Sequence, residues 1–165
     1  MQQYIIGNWK MNGTKADAQK LAAGFLKRVQ ESERTLPHIV LCPSYPYLSA
    51  VVETLQGSSI QVGAQDVHPE KSGPFTGDVN VTQLVDVGCK YVLVGHSERR
   101  QHHFETAPLI RRKIEASIKG GLRPVLCIGE SAEERKSGHA LQIMADQLRT
   151  DLPENFNPHD LIRAY

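Results

Sequence analysis

Apolar residues along the chain gather into six short, β-rich runs: YIIGNW (4–9), HIVLC (38–42), IQVGA (60–64), KYVLVG (90–95), RPVLCIG (123–129) and LIRAY (161–165). Most are continuously apolar rather than alternating, which is how strands read when both faces of a parallel sheet are covered. Between them the period changes. In TKADAQKLAAGFLKRVQE, residues Ala18, Leu21, Ala22, Phe25, Leu26 and Val29 recur at helical spacing, and Thr14 with Asp17 makes a weak capping box. YLSAVVETLQG stops at Gly57, VTQLVDVG at Gly88 and APLIRRKIEASIKGG at a glycine pair, a common helix stop. SAEERKSGHALQIMADQLRTDL opens on a second capping box, Ser131 with Glu134, and Gly138 splits it into two helices.

The order is strand then helix, repeated, with a sixth strand just begun at the end. Strand starts lie 34, 22, 30, 33 and 38 residues apart, the size of a βαβ unit. Such repeats build an open doubly wound sheet or a closed eight-stranded barrel. An open sheet of the Rossmann or flavodoxin kind should carry a glycine-rich phosphate loop after its first strand. Here NWKMNGTK has a single glycine, and neither GxGxxG nor GxxxxGK[ST] occurs anywhere. A barrel needs about 250 residues, of which this chain supplies roughly two-thirds. The expected fold is α/β: an incomplete (β/α)8 barrel of about five βα units plus the start of the sixth strand. Residues 1–165 are expected to be one truncated domain whose C-terminal βα units are missing.

Composition narrows the classes. With 40% hydrophobic and 22% charged residues the chain is ordinary globular material. A net charge of +1 supplies no field for nucleic acid or an anionic membrane. The clusters Arg99-Arg100 and Arg111-Arg112-Lys113 read as solvated helix faces. Cys42, Cys89 and Cys127 are odd in number, far apart and without a CxxC, which suits a reducing compartment and argues against zinc. MQQYIIGNWK has no long apolar run behind basic residues, so neither a signal peptide nor a membrane span is expected, and the setting is cytoplasmic.

In parallel βα folds the C-terminal ends of strands face the ligand. Those ends carry Asn8 and Lys10, Gln65 and Asp66, His96, Ser97 and Glu98, and Glu130. Asn8 and Lys10 share one side of their strand, and a cation beside an amide suits an anionic substrate or a developing oxyanion. Lys10 could equally pair with Glu98 or Glu130. Next to His96, Gly95 lets the chain turn closely into a helix start. An imidazole there is held neutral by the helix dipole and can donate to a carbonyl oxygen; a purely structural histidine is the alternative. His102-His103 lacks a third ligand at metal spacing, so no metal is expected. Cys127, inside an apolar strand, reads as a small hydrophobe. The loop QDVHPEKSGPFTGDV (65–79) is long and has Phe75 and Thr76 at its tip. It either buries that tip against a partner or folds back on its own domain.

Taken together, GNWKMN (7–12), GAQD (63–66), GPFTGD (73–78), VGHSERR (94–100) and CIGE (127–130) resemble the triosephosphate isomerase family in order and spacing, from the first strand to Tyr165. The resemblance implies a TIM barrel that interconverts dihydroxyacetone phosphate and glyceraldehyde 3-phosphate in glycolysis and gluconeogenesis, with no cofactor or metal. It makes Asn8 and Lys10 the substrate-binding pair and His96 the catalytic electrophile. Ser97, Glu98 and Glu130 become supporting residues, and Phe75 and Thr76 part of a loop that enters the partner subunit of a homodimer. Asp78 stands where the family has glutamate. The family's general-base glutamate follows directly on the Ala-Tyr that here is Ala164-Tyr165. The base, the lid and the phosphate loops are therefore absent from these residues, which alone are expected to be inactive. The alternatives are a non-catalytic shortened chain acting as an assembly or interaction module, or a (β/α)8 or Rossmann enzyme of different chemistry.

Overall fold

Six strands, all parallel, lie side by side in chain order: β1 (Tyr4–Asn8), β2 (His38–Cys42), β3 (Gln61–Ala64), β4 (Tyr91–Val94), β5 (Arg123–Cys127) and β6 (Ile162–Ala164). The computed structural model describes residues 3–164, apart from the Pro158 side chain. Tyr165, the last residue of the expected sixth strand, falls outside them. A strand order that never reverses is barrel topology; a doubly wound sheet would place its first strand in the middle. The sheet is thus the six-stranded part of a (β/α)8 barrel.

Among the described residues seven helices connect the strands: α1 (Lys15–Gln30), α2 (Leu48–Thr54), α3 (Val81–Asp86), α4 (Ser97–His102), α5 (Ala107–Lys119), α6 (Ala132–Lys136) and α7 (Ala140–Asp151). The expected capping boxes form: Thr14 and Asp17 open α1, and Ser131 and Glu134 open α6. The fifth helical segment does break, with Gly138 between α6 and α7. Single 3-10 turns at Tyr45–Tyr47 and Pro158–Asp160, each with a proline in its first two positions, have no counterpart in the periodic pattern.

Alternation along each strand sorts the core into two layers. Leu41, Val62, Ala64, Val92, Val94 and Leu126 face the helices and pack with Ala22, Val51, Leu84, Ile110 and Ile114. Val40, Cys42, Tyr91, Leu93 and Val125 face the other way, into the curl of the sheet, with Tyr4, Ile6, Cys127 and Ile162 packed beside them. Both faces of the central strands are covered, which is why their sequences are apolar without alternation.

Candidate active site

Asn8, Gln65 and His96 follow or end three different strands at the same rim, and Lys10 lies two residues beyond β1. Lys10 has a left-handed backbone, φ +54°. For a residue with a Cβ that conformation costs about 1–3 kcal/mol and must be held by its surroundings. Its own N–H donates to Asn8 Oδ1 at 3.0 Å. Its carbonyl accepts from Ser44 Oγ at 2.8 Å and from Gln65 Nε2 at 2.9 Å. Gln65 Nε2 also reaches the Cys42 carbonyl at 2.8 Å, tying β2 and β3 to the bend. The side chain then turns to Glu98, Nζ to Oε1 2.8 Å, which holds the Glu98 carboxyl below its usual range. Of the two sequence alternatives for Lys10, the pairing with Glu98 forms and leaves both groups about half exposed.

His96 is the N-cap residue of α4. Its Nδ1 accepts the Glu98 backbone N–H at 3.3 Å. With that lone pair engaged, the ring proton belongs on Nε2, and the 3.5 Å approach of Glu98 Oε2 to Nδ1 is no hydrogen bond. Burial is the main cause that holds the imidazole below its ordinary value of 6.5, with Lys10 adding to the effect and Glu98 opposing it. The ring is neutral at neutral pH, with Nε2–H as its available donor. Asn8, Lys10, Gln65, His96 and Glu98 line one cleft of about 520 Å³, with His102 and His103 at its side. A second cleft of about 320 Å³ lies on the other side of His96, between Ser97, Arg100, Cys127, Glu130 and Ala164.

The remaining expected residues are placed as follows. Glu130, nearly buried, pairs with Arg135 (2.6 Å) rather than with Lys10. Ser97 begins α4. Burial raises the Cys127 thiol to about 11, so it is no nucleophile. Among the described residues no group of three His, Cys, Asp or Glu side chains is placed to hold a metal, and no helix is long and apolar enough to cross a membrane. The loop after β3 folds back on its own stem: His68 N–H donates to Val79 O at 2.8 Å, and the His68 and Phe75 rings lie 4.1 Å apart. Phe75 remains 40% exposed at the tip.

The basic clusters are a correction. Only Arg112 keeps the exposure of a solvated face; the others are drawn in. Lys113 is 3% exposed and lies between Asp66 (2.6 Å) and Glu105 (2.5 Å). Arg99 reaches the same two carboxylates, and Arg100 pairs with the fully buried Asp151. Arg111 donates to the Thr150 carbonyl, and Arg112 pairs with Glu70. These partners lie on other elements, so no local pattern announces them. Nor does any local pattern mark Ser44, Gln147 or Asp151 as contributors to the rim.

The six-stranded sheet in barrel order gathers a cation, an amide and a neutral histidine at its strand C-termini, the face on which (β/α)8-barrel enzymes carry their sites. The family model for triosephosphate isomerase matches residues 3–165, and the chain belongs to that family. It is 41% identical over 152 residues to the triosephosphate isomerase of Aquifex aeolicus, covering 92% of this chain and 61% of that protein. It is 38% identical over 161 residues to that of Synechocystis, covering 98% and 66%. The crystal structure of triosephosphate isomerase from Bartonella henselae superposes with a TM-score of 0.87 at 34% identity, over 100% of this chain and 68% of that one. The chain thus spans about two-thirds of the length of these relatives.

Proposed function

We propose that these residues carry the substrate-binding and electrophilic half of a triosephosphate isomerase site, which interconverts dihydroxyacetone phosphate and glyceraldehyde 3-phosphate through an enediol. The observation that carries this is the engaged Nδ1 of His96, which leaves a neutral Nε2–H at the cleft that Asn8 and Lys10 line. A neutral imidazole as electrophile is the family's established arrangement. His96 donates to the substrate carbonyl oxygen and moves protons between the two oxygens. Lys10 neutralises the anionic substrate and the growing oxyanion, and Asn8 fixes its orientation. Glu98 holds Lys10 in place; Ser97 and Glu130 support the rim.

Abstraction of the carbon-bound proton needs a carboxylate within reach. Of the two carboxylates closest to the clefts, Glu98 is tied to Lys10 and Glu130 to Arg135. The base is therefore supplied from outside these residues, and the 165-residue polypeptide turns over negligibly by itself. The homodimer, with the Phe75–Thr76 tip entering the partner, and a cytosolic role in glycolysis and gluconeogenesis are proposed with the same reading. The exposure of Met11 (95%) and Phe104 (81%) supports the dimer.

The test is a chimera joining residues 1–165 to the C-terminal third of the Aquifex relative. It should isomerise dihydroxyacetone phosphate, and His96→Gln should lower kcat by about 10²–10⁴-fold, the usual worth of a positioned acid–base group. A folded chimera with no activity, or one indifferent to His96→Gln, would overturn the reading. A second reading, a non-catalytic assembly module, draws on the uncovered inner face near β1 and β6; it predicts that the chain purifies with a partner polypeptide of fixed mass.

A further inference from the structure

Asp151 stands where helix physics offers it nothing. It is the last residue of α7, at the negative end of the helix dipole, and its side chain is 0% exposed. A carboxylate buried there costs several kcal/mol unless a cation and further donors satisfy it. Arg100 supplies them, Nη2 to Oδ2 at 2.7 Å and Nη1 to Oδ1 at 3.5 Å. A residue that defies its local rules for the sake of one tertiary partner points to what that partner is doing.

Arg100 grips the strand ends around His96. Its Nε donates to the Gly95 carbonyl at 2.7 Å and its Nη2 to the Cys127 carbonyl at 3.1 Å. Its own backbone N–H donates to the His96 carbonyl at 3.1 Å. The Arg100 side chain thus holds the peptide before His96, while the His96 carbonyl is held by the backbone N–H groups of Arg99 (2.9 Å) and Arg100 in the first turn of α4. Gly95 leaves room for it: φ is +72°, and a Cβ there would lie 2.7 Å from Arg100 Nη2. One turn before Asp151, Gln147 bonds both the N–H and the carbonyl of Gly129, at 3.0 and 2.9 Å. One face of α7 thereby registers the mouths of β4 and β5 against each other.

We infer that Arg100, anchored on Asp151 of α7, is a positioning residue whose guanidinium fixes the Gly95–His96 peptide against the end of β5 and so aims the His96 imidazole. Only a planar fork can serve Gly95, Cys127 and Asp151 at once; a lysine ammonium keeps the charge and loses the geometry. The inference rests on the electrophilic role of His96, but its test needs no turnover.

The experiment is nitrogen NMR of the 15N-histidine-labelled chain without substrate, above the His96 titration. In the parent chain, His96 should show one tautomer, Nε2 protonated and Nδ1 accepting. In Arg100→Lys and in Asp151→Asn the two ring nitrogens should move toward each other as that single tautomer is lost, while His38, His68 and His159 keep their resonances. Unchanged His96 resonances in a folded Arg100→Lys chain would overturn the inference. So would equal displacement of all seven histidines, which would mean general loosening. Should Asp151→Asn fail to fold, Arg100→Lys decides the matter by the same two outcomes. A failure of the isomerase reading would leave these spectra untouched.

Discussion

Lys10 and Lys113 both pair with carboxylates, yet their surroundings set them different tasks. Lys10 is half exposed, so its pair with Glu98 is worth about 0–1 kcal/mol and its charge stays available to a substrate. Lys113 is buried between two carboxylates, where its charge is structural. Burial pushes Glu105 up, but Lys113 and Arg99 outweigh it and hold that carboxyl below its ordinary 4.5. By linkage, a depressed carboxylate contributes stability that is complete above the unfolded value. The Glu105 share is lost as pH falls through the lower, folded value, whereas burial raises Asp66 and works in the opposite sense. Lys113→Met leaves Asp66 and Glu105 buried with Arg99 alone and should cost about 3–5 kcal/mol in urea unfolding at pH 7. It should also abolish that loss of stability on acidification, since protonation then relieves the two carboxylates. Lys10→Met should cost under about 1 kcal/mol. Comparable losses for the two variants would mean that the buried network is not what the distances suggest.

At the level of elements, strands and their order were legible because burial on both faces writes a continuous apolar run, and His38–Cys42 was found to the residue. That Asn8, Lys10 and His96 share one rim was legible because parallel topology aims strand ends the same way. What could not be read is long-range pairing. Arg100 and Asp151 are 51 positions apart, and nothing local favours an acid at the end of α7. The sense of the βα units also hid a steric limit inside β3. A Cβ on Gly63 would meet Cys42 Sγ at 2.8 Å, Tyr91 Cβ at 3.1 Å and Val40 Cγ1 at 3.2 Å, all on the inner face. The atoms met are Cβ or one bond beyond it on adjacent strands, so they have little room to swing away. Gly63→Ala should therefore destabilise by about 1–3 kcal/mol, as overpacked cores do. A melting temperature equal to the parent's would show that the curl of the sheet relaxes at no cost.

For the whole molecule the question is what covers the curl. At its centre Val40, Cys42, Leu93 and Val125 are buried, but toward the two outer strands Ile6 and Ile162 are only partly so. Ile5, on the helix-facing side of β1, is 54% exposed. Neither β1 nor β6 has a neighbour on its outer edge among the described residues. Unpaired parallel edges beside apolar side chains are templates for further strands. As a 165-residue polypeptide in dilute buffer, the chain should bind the dye ANS and sediment with a mass that rises with concentration. The chimera with the last third of the Aquifex relative should do neither beyond a dimer, because two added βα units would pair both edges and fill the curl. The comparison separates edge-driven association from the proposed dimerisation through Met11, Phe75 and Phe104, which both polypeptides share. A Met11→Lys/Phe104→Lys double variant should leave the dye binding and higher association of the short chain intact while reducing the chimera to a monomer. If the double variant instead abolishes association in both, the exposed rim rather than the open sheet drives it, and the inner face is closed by its own side chains.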